Sequence, residues 1–159
     1  MSDSYLRIIP ADENLVPSDE VVAQGLEVVA PAFAGADEIL TKRYAQPVFI
    51  DPGAHLQAAV CPACGVRLLL REPGSSARAA WWAPLANELA QRGAGDVRAS
   101  LPCCRKLVPF SRLRFEPAAG VASFEISVMN PPLPSLPLEA QEQLEAVLGC
   151  PVRYVWAQS

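Results

Sequence analysis

Five cysteines carry most of the chemistry available to this chain, and two of them stand together in Cys61-Pro62-Ala63-Cys64-Gly65. Thiols two residues apart in a tight turn converge on one tetrahedral ion. The proline restricts the backbone, and the glycine is free to take positive φ just after the second sulfur. A second group follows at Leu101-Pro102-Cys103-Cys104-Arg105, where the proline matches the first turn but Leu101 stands in the place of a first cysteine. Cys61, Cys64, Cys103 and Cys104 together supply four sulfur ligands for a structural Zn2+. A variant of this set uses one of the adjacent pair, Cys104 by alignment of the prolines, with His55 or water as the fourth ligand. Buried free thiols and a redox pair are the competing readings. The redox reading needs a cysteine at a helix N-terminus, whereas the residues after Cys64, Val66-Arg67-Leu68-Leu69-Leu70, read as a strand. Cys150, beside Gly149, reads as a small buried residue.

Other catalytic signatures are missing from the sequence. It contains no H-E-x-x-H, no G-x-S-x-G elbow, no P-loop and no G-x-G-x-x-G, and His55 is its one histidine. A four-sulfur zinc site is coordinatively closed and leaves no position for an activated water. The expectation is therefore a protein that is not an enzyme, with a thiol-redox or metal-dependent enzyme as an alternative.

Charge is informative only when divided. The 159 residues sum to −4. Between Cys61 and Arg114 there are nine basic residues against Glu72, Glu88 and Asp96, so this part carries +6 and the remainder −10. Arg105, Lys106, Arg112 and Arg114 are the candidate partner- or anion-binding residues, because arginine pairs bidentately with carboxylate and phosphate. A solvated surface that partly neutralises the acidic remainder is the competing reading. Trp81 and Trp82 could stack on bases or on a partner's side chains, or pack the core between the cysteine turns.

The elements that must position these residues are legible on both sides. Tyr5 to Ile9 alternates as a strand; Ser18 caps a helix with Val22, Leu26, Val29 and Phe33 on one face; Glu38 to Tyr44 reads as a second strand. Phe124, Ile126 and Val128 share one face of a strand, a helix runs from about Leu138 to Leu148, and Val152 to Ala157 closes the chain. A helix over about 82–91 lies between the cysteine groups. This order predicts an α+β fold, a ferredoxin-like βαββαβ sandwich formed by residues 1–44 and 118–159. Residues 45–117 are an insertion between its second and third strands, too long for a structureless loop, in which zinc stands in for a core.

Through Cys61-Pro62-Ala63-Cys64-Gly65 and Pro102-Cys103-Cys104 the chain resembles the zinc-ribbon class over roughly residues 60–115. Through Trp81-Trp82 and the ending Gly149-Cys150-Pro151 to Trp156 it also resembles small uncharacterised bacterial proteins that pair such knuckles with flanking βαβ elements. The ribbon resemblance implies a structural ion and no activity.

The acidic start and the lack of an apolar leader or an 18-residue apolar window predict a cytoplasmic protein with no membrane partner. The function expected is a non-enzymatic, zinc-binding adaptor for a macromolecular partner. An acidic protein is favoured over nucleic acid, since the −10 of the remainder repels a phosphate chain; binding of RNA or DNA through the arginine-rich insertion is the alternative.

Overall fold

The computed structural model describes residues 2–75 and 77–158, so Met1 and Ser159, the outer ends of the expected frame, lie outside it. The elements are β1 (Ser4–Pro10), α1 (Asp19–Ala32), β2 (Glu38–Ile50), β3 (Ala58–Val60), β4 (Arg67–Leu69), α2 (Ala83–Arg92), β5 (Arg98–Ser100), β6 (Leu107–Pro109), β7 (Arg114–Glu116), β8 (Gly120–Met129), α3 (Leu138–Leu148) and β9 (Val152–Gln158). Single 3-10 turns lie at Gly53–His55 and Phe110–Arg112.

The flanking segments build one four-stranded sheet in the order β2-β8-β1-β9, with every neighbouring pair antiparallel. Register places Leu6 opposite Val128 and Ile8 opposite Ile126, so the alternation of both strands turns their apolar side chains to one face. Val29 of α1, Phe33 at its C-terminal cap, and Leu144 and Leu148 of α3 bury against that face. Helix α1 starts where the Ser18 hydroxyl accepts from the Val21 amide at 3.2 Å, with Asp19 and Glu20 in its first turn. Gly25 lets the helices approach closely: a Cβ there would lie 3.3 Å from Leu144 Cδ1.

The second strand runs six residues past its expected end at Tyr44. Its register against β8 breaks between Arg43 and Val48 and then resumes, with Val48, Phe49 and Ile50 opposite Ala122, Val121 and Gly120. This bulge holds Pro47, which has no amide to give a ladder, and it interrupts the period-two pattern that marks a strand in sequence. The continuation carries Phe49 into the middle segment.

There, β4-β3-β7 form a three-stranded sheet, β5-β6 a hairpin, and α2 buries Leu85 in the same core. Phe49, Phe110, Phe115 and Trp82 pack as a cluster, with Phe110 5.0 Å from Phe49 and 5.5 Å from Phe115 between centroids. Trp82, Phe110 and Phe115 belong to a buried apolar core that also takes in Cys61 and Leu101. The expectation that a metal stands in for a core is therefore corrected: the middle segment has an aromatic core, with Cys61 in it, Cys103 and Cys104 half-buried against it and Cys64 exposed. Trp82 belongs to this core, while Trp81 is half-buried and donates its indole N–H to the Leu69 carbonyl at 2.9 Å. Among the described residues, no helix is long and apolar enough to cross a membrane.

Candidate metal centre

Two hairpins of the same shape hold the four cysteines. In the first, β3 pairs with β4 from Ala58 opposite Leu69 to Val60 opposite Arg67. In the second, β5 pairs with β6 from Arg98 opposite Pro109 to Ser100 opposite Leu107, each position forty residues after its counterpart. The connecting turns match as well. Gly65 donates its amide to the Cys61 carbonyl at 2.9 Å, and Arg105 donates to the Leu101 carbonyl at 3.0 Å. Gly65 and Arg105 both have positive φ, +78° and +58°. For arginine that conformation costs of order 1 kcal/mol, and it persists because the turn demands it.

Superimposed residue by residue, Cys64 corresponds to Cys104, while Cys61 corresponds to Leu101 and Ala63 to Cys103. Cys61 and Leu101 are each 1% exposed and sit in the same apolar cluster. The second turn thus spends its first ligand position on core packing and supplies a sulfur from its tip. Adjacent cysteines in such a bent turn reach one point: Cys103 Sγ lies 3.9 Å from Cys104 Sγ, which lies 3.8 Å from Cys61 Sγ.

All four sulfurs lie within 4.8 Å of one another. A tetrahedron of thiolates about 2.3 Å from its centre has edges of about 3.8 Å, so the separations of Cys104 from Cys61 and Cys103 match a metal-bound set. Disulfides are a different geometry, near 2 Å between sulfurs, and all five cysteines are free. The cluster could therefore hold a metal ion. Among the described residues, His55 is outside this group; it is exposed at the end of the 3-10 turn. Cys150 is half-buried rather than buried and follows Gly149, whose φ of +81° ends α3.

The cluster's electrostatics favour one thiolate. Burial raises the Cys61 pKa, but the amides of Cys64 and Ala63 and the thiols of Cys103 and Cys64 outweigh it and bring the group to about 7. Ala63 N lies 3.4 Å from Cys61 Sγ. Cys103 moves the other way, pushed up to about 12 by burial and then by the neighbouring sulfurs of Cys64, Cys61 and Cys104. A divalent ion bound by these four would favour the deprotonated form of each. Neither turn opens a helix; each leads into a strand, β4 or β6.

The four basic candidates fall into two places. Arg105 and Lys106 are exposed in the second cysteine turn, and Arg112 and Arg114 are exposed around the start of β7. Arg114 stands opposite Val60, whose other neighbour is Arg67. Arg67 pairs with Glu116 at 2.6 Å. The forty-residue correspondence of the hairpins was the signal that would have shown how the second turn replaces its missing cysteine; only its proline is evident in the sequence.

No family model matches this chain, and no curated protein or solved structure matches it either. Fold and site define a mixed α+β protein with a four-cysteine cluster of metal-binding geometry.

Proposed function

We propose that this protein is a non-enzymatic, cytoplasmic adaptor with one structural Zn2+ bound by Cys61, Cys64, Cys103 and Cys104. The observation that carries the reading is the convergence of four sulfurs from two matched hairpins at near-tetrahedral spacing. An all-sulfur donor set favours zinc among the common divalent ions, and four protein ligands leave no open position for chemistry. The sheet order β2-β8-β1-β9 with two helices on one face supports a ferredoxin-like frame of residues 1–44 and 118–159. Residues 45–117 then form a zinc-ribbon-like insertion, anchored by the strand that crosses its boundary. A bound ion would tie together hairpins that are forty residues apart and fix the orientation of the exposed Arg105 and Lys106.

An acidic protein is the partner that this charge division favours. The exposed Arg105, Lys106, Arg112 and Arg114 also support a second reading, nucleic-acid binding through the insertion. A gel shift at low salt separates them: binding that falls steeply with salt and with charge reversal at these four positions supports nucleic acid, and no shift removes it. The zinc reading is tested by metal analysis of the purified protein under native conditions. One zinc per chain, with a melting temperature that drops on chelation, is expected; a metal-free protein indifferent to chelator would overturn it.

A further inference from the structure

The forty-residue correspondence of the two hairpins stops at one place. Strand β3 has two neighbours, β4 on one side and β7 on the other, with Ala58 opposite Glu116, Ala59 opposite Phe115 and Val60 opposite Arg114. Its counterpart β5 has a single neighbour, because β5 and β6 form a sheet of two strands. Among the described residues, no strand lies on the side of β5 that matches the β7 side of β3.

The register fixes which main-chain groups face that side. Leu70 donates its amide to the Gln57 carbonyl at 2.9 Å, and at the matching positions Phe110 donates to the Val97 carbonyl, also at 2.9 Å. Hydrogen-bonded and non-hydrogen-bonded pairs alternate along an antiparallel ladder, so Arg98 opposite Pro109 is a non-hydrogen-bonded pair. The amide and carbonyl of Arg98 therefore point away from β6, and Pro109, which has no amide, suits its place. Two residues on, Ser100 points its amide and carbonyl the same way. Arg98 and Ser100 are exposed, while Ala99 between them is buried in the core. An edge of this kind is a template for one more strand.

Charge selects the strand. Arg98 lies on the edge, Arg105 and Lys106 in the turn beyond Ser100, and Arg112 in the 3-10 turn beyond Pro109. Asp96 is the one acid in residues 96–112. On β7, the residue that stands opposite the counterpart of Arg98 is Glu116. Opposite charges directly across a ladder attract, so an incoming strand with a carboxylate at that position fits β5 better than a neutral or basic one.

We propose that β5 is a docking edge for an extended acidic segment of a partner protein, added antiparallel as β7 is added to β3, with a carboxylate opposite Arg98. The acidity of the partner rests on the adaptor reading; the strand pairing rests on the register of β5 alone.

The test is an amide NMR titration of the full-length protein at low salt with the end-blocked peptide Glu-Glu-Thr-Phe-Glu-Glu, whose Phe-Glu repeats the Phe115-Glu116 of β7. The Arg98 and Ser100 amides are expected to shift downfield and to saturate at one peptide per chain. Arg98→Glu should weaken the peptide about tenfold. The same peptide methylated on the amide nitrogens of its threonine and of the glutamate after phenylalanine keeps its charge but loses the two donors that face β5. It should bind about tenfold more weakly or not at all. Ser100→Pro removes an amide that faces away from β6, a substitution that edge strands tolerate, and should weaken the unmethylated peptide in the same way. Equal binding of the two peptides overturns the proposal and leaves Arg98 as a charge that blunts a free edge. Shifts confined to Arg105 and Lys106 overturn the edge while the adaptor reading stands, and no shift at all fails both. Shifts of the Arg98 and Ser100 amides with protein concentration alone would seat a second copy there and also overturn it.

Discussion

The correspondence between the two cysteine turns makes a quantitative demand. If Leu101 occupies the place of Cys61 and Cys103 compensates for it, then Cys103→Ser should weaken the metal strongly, and Leu101→Cys should rescue the loss. Structural zinc sites contribute about 10–16 kcal/mol over four ligands, so one ligand is worth about 2.5–4 kcal/mol, or roughly a hundred- to a thousandfold in affinity. Leu101 is 1% exposed, and its replacement by the smaller cysteine should cost about 2 kcal/mol, the low end of the range for truncating a buried leucine. The variant Leu101→Cys/Cys103→Ala should therefore bind zinc within about tenfold of the native protein while melting about 4–8 °C lower. Competition against a chromophoric zinc chelator measures the first quantity, and calorimetry of the metal-loaded protein the second. Native affinity in Cys103→Ser would show that Cys103 is not a ligand. A double variant no better than Cys103→Ser would show that the turns are not equivalent.

Further outcomes follow from the same structure. In the metal-free protein, Cys61 titrates below its unfolded value of 9, so it adds stability as pH rises from about 7 to 9; Cys103 titrates above 9, so stability falls again from about 9 toward 12. Melting in excess chelator should thus peak near pH 9, and a flat profile refutes the assignment. Phe110 is fully buried between Phe49, Phe115 and Trp82, and Phe110→Ala should cost about 3–5 kcal/mol in urea denaturation even with metal bound. A cost below 1 kcal/mol would mean that the metal, not the aromatic cluster, holds the middle segment.

Legibility of the sequence followed the range of the interactions involved. Ser18, the Val22-to-Phe33 stripe and the alternation of Phe124, Ile126 and Val128 are local signals, and α1 and the core face of β8 follow from them. Strand β2 was legible only to Tyr44, because its continuation depends on β8 accepting three extra residues on one side, and no pattern within β2 encodes that.

The sequence alone determined which residues could bind a metal and what kind of turn each pair would form, since proline, glycine and cysteine act through φ and ψ within five residues. It could not decide between Cys103 and Cys104, or between four sulfurs and a set with His55. The tertiary structure decided which side chains meet, gathering the four cysteine sulfurs and leaving His55 outside their group, because the distance between turns forty residues apart is set by how both hairpins pack on Phe110, Phe115 and Trp82. That packing buries Leu101 in the position that matches Cys61 and brings Cys103 and Cys104 to the cluster.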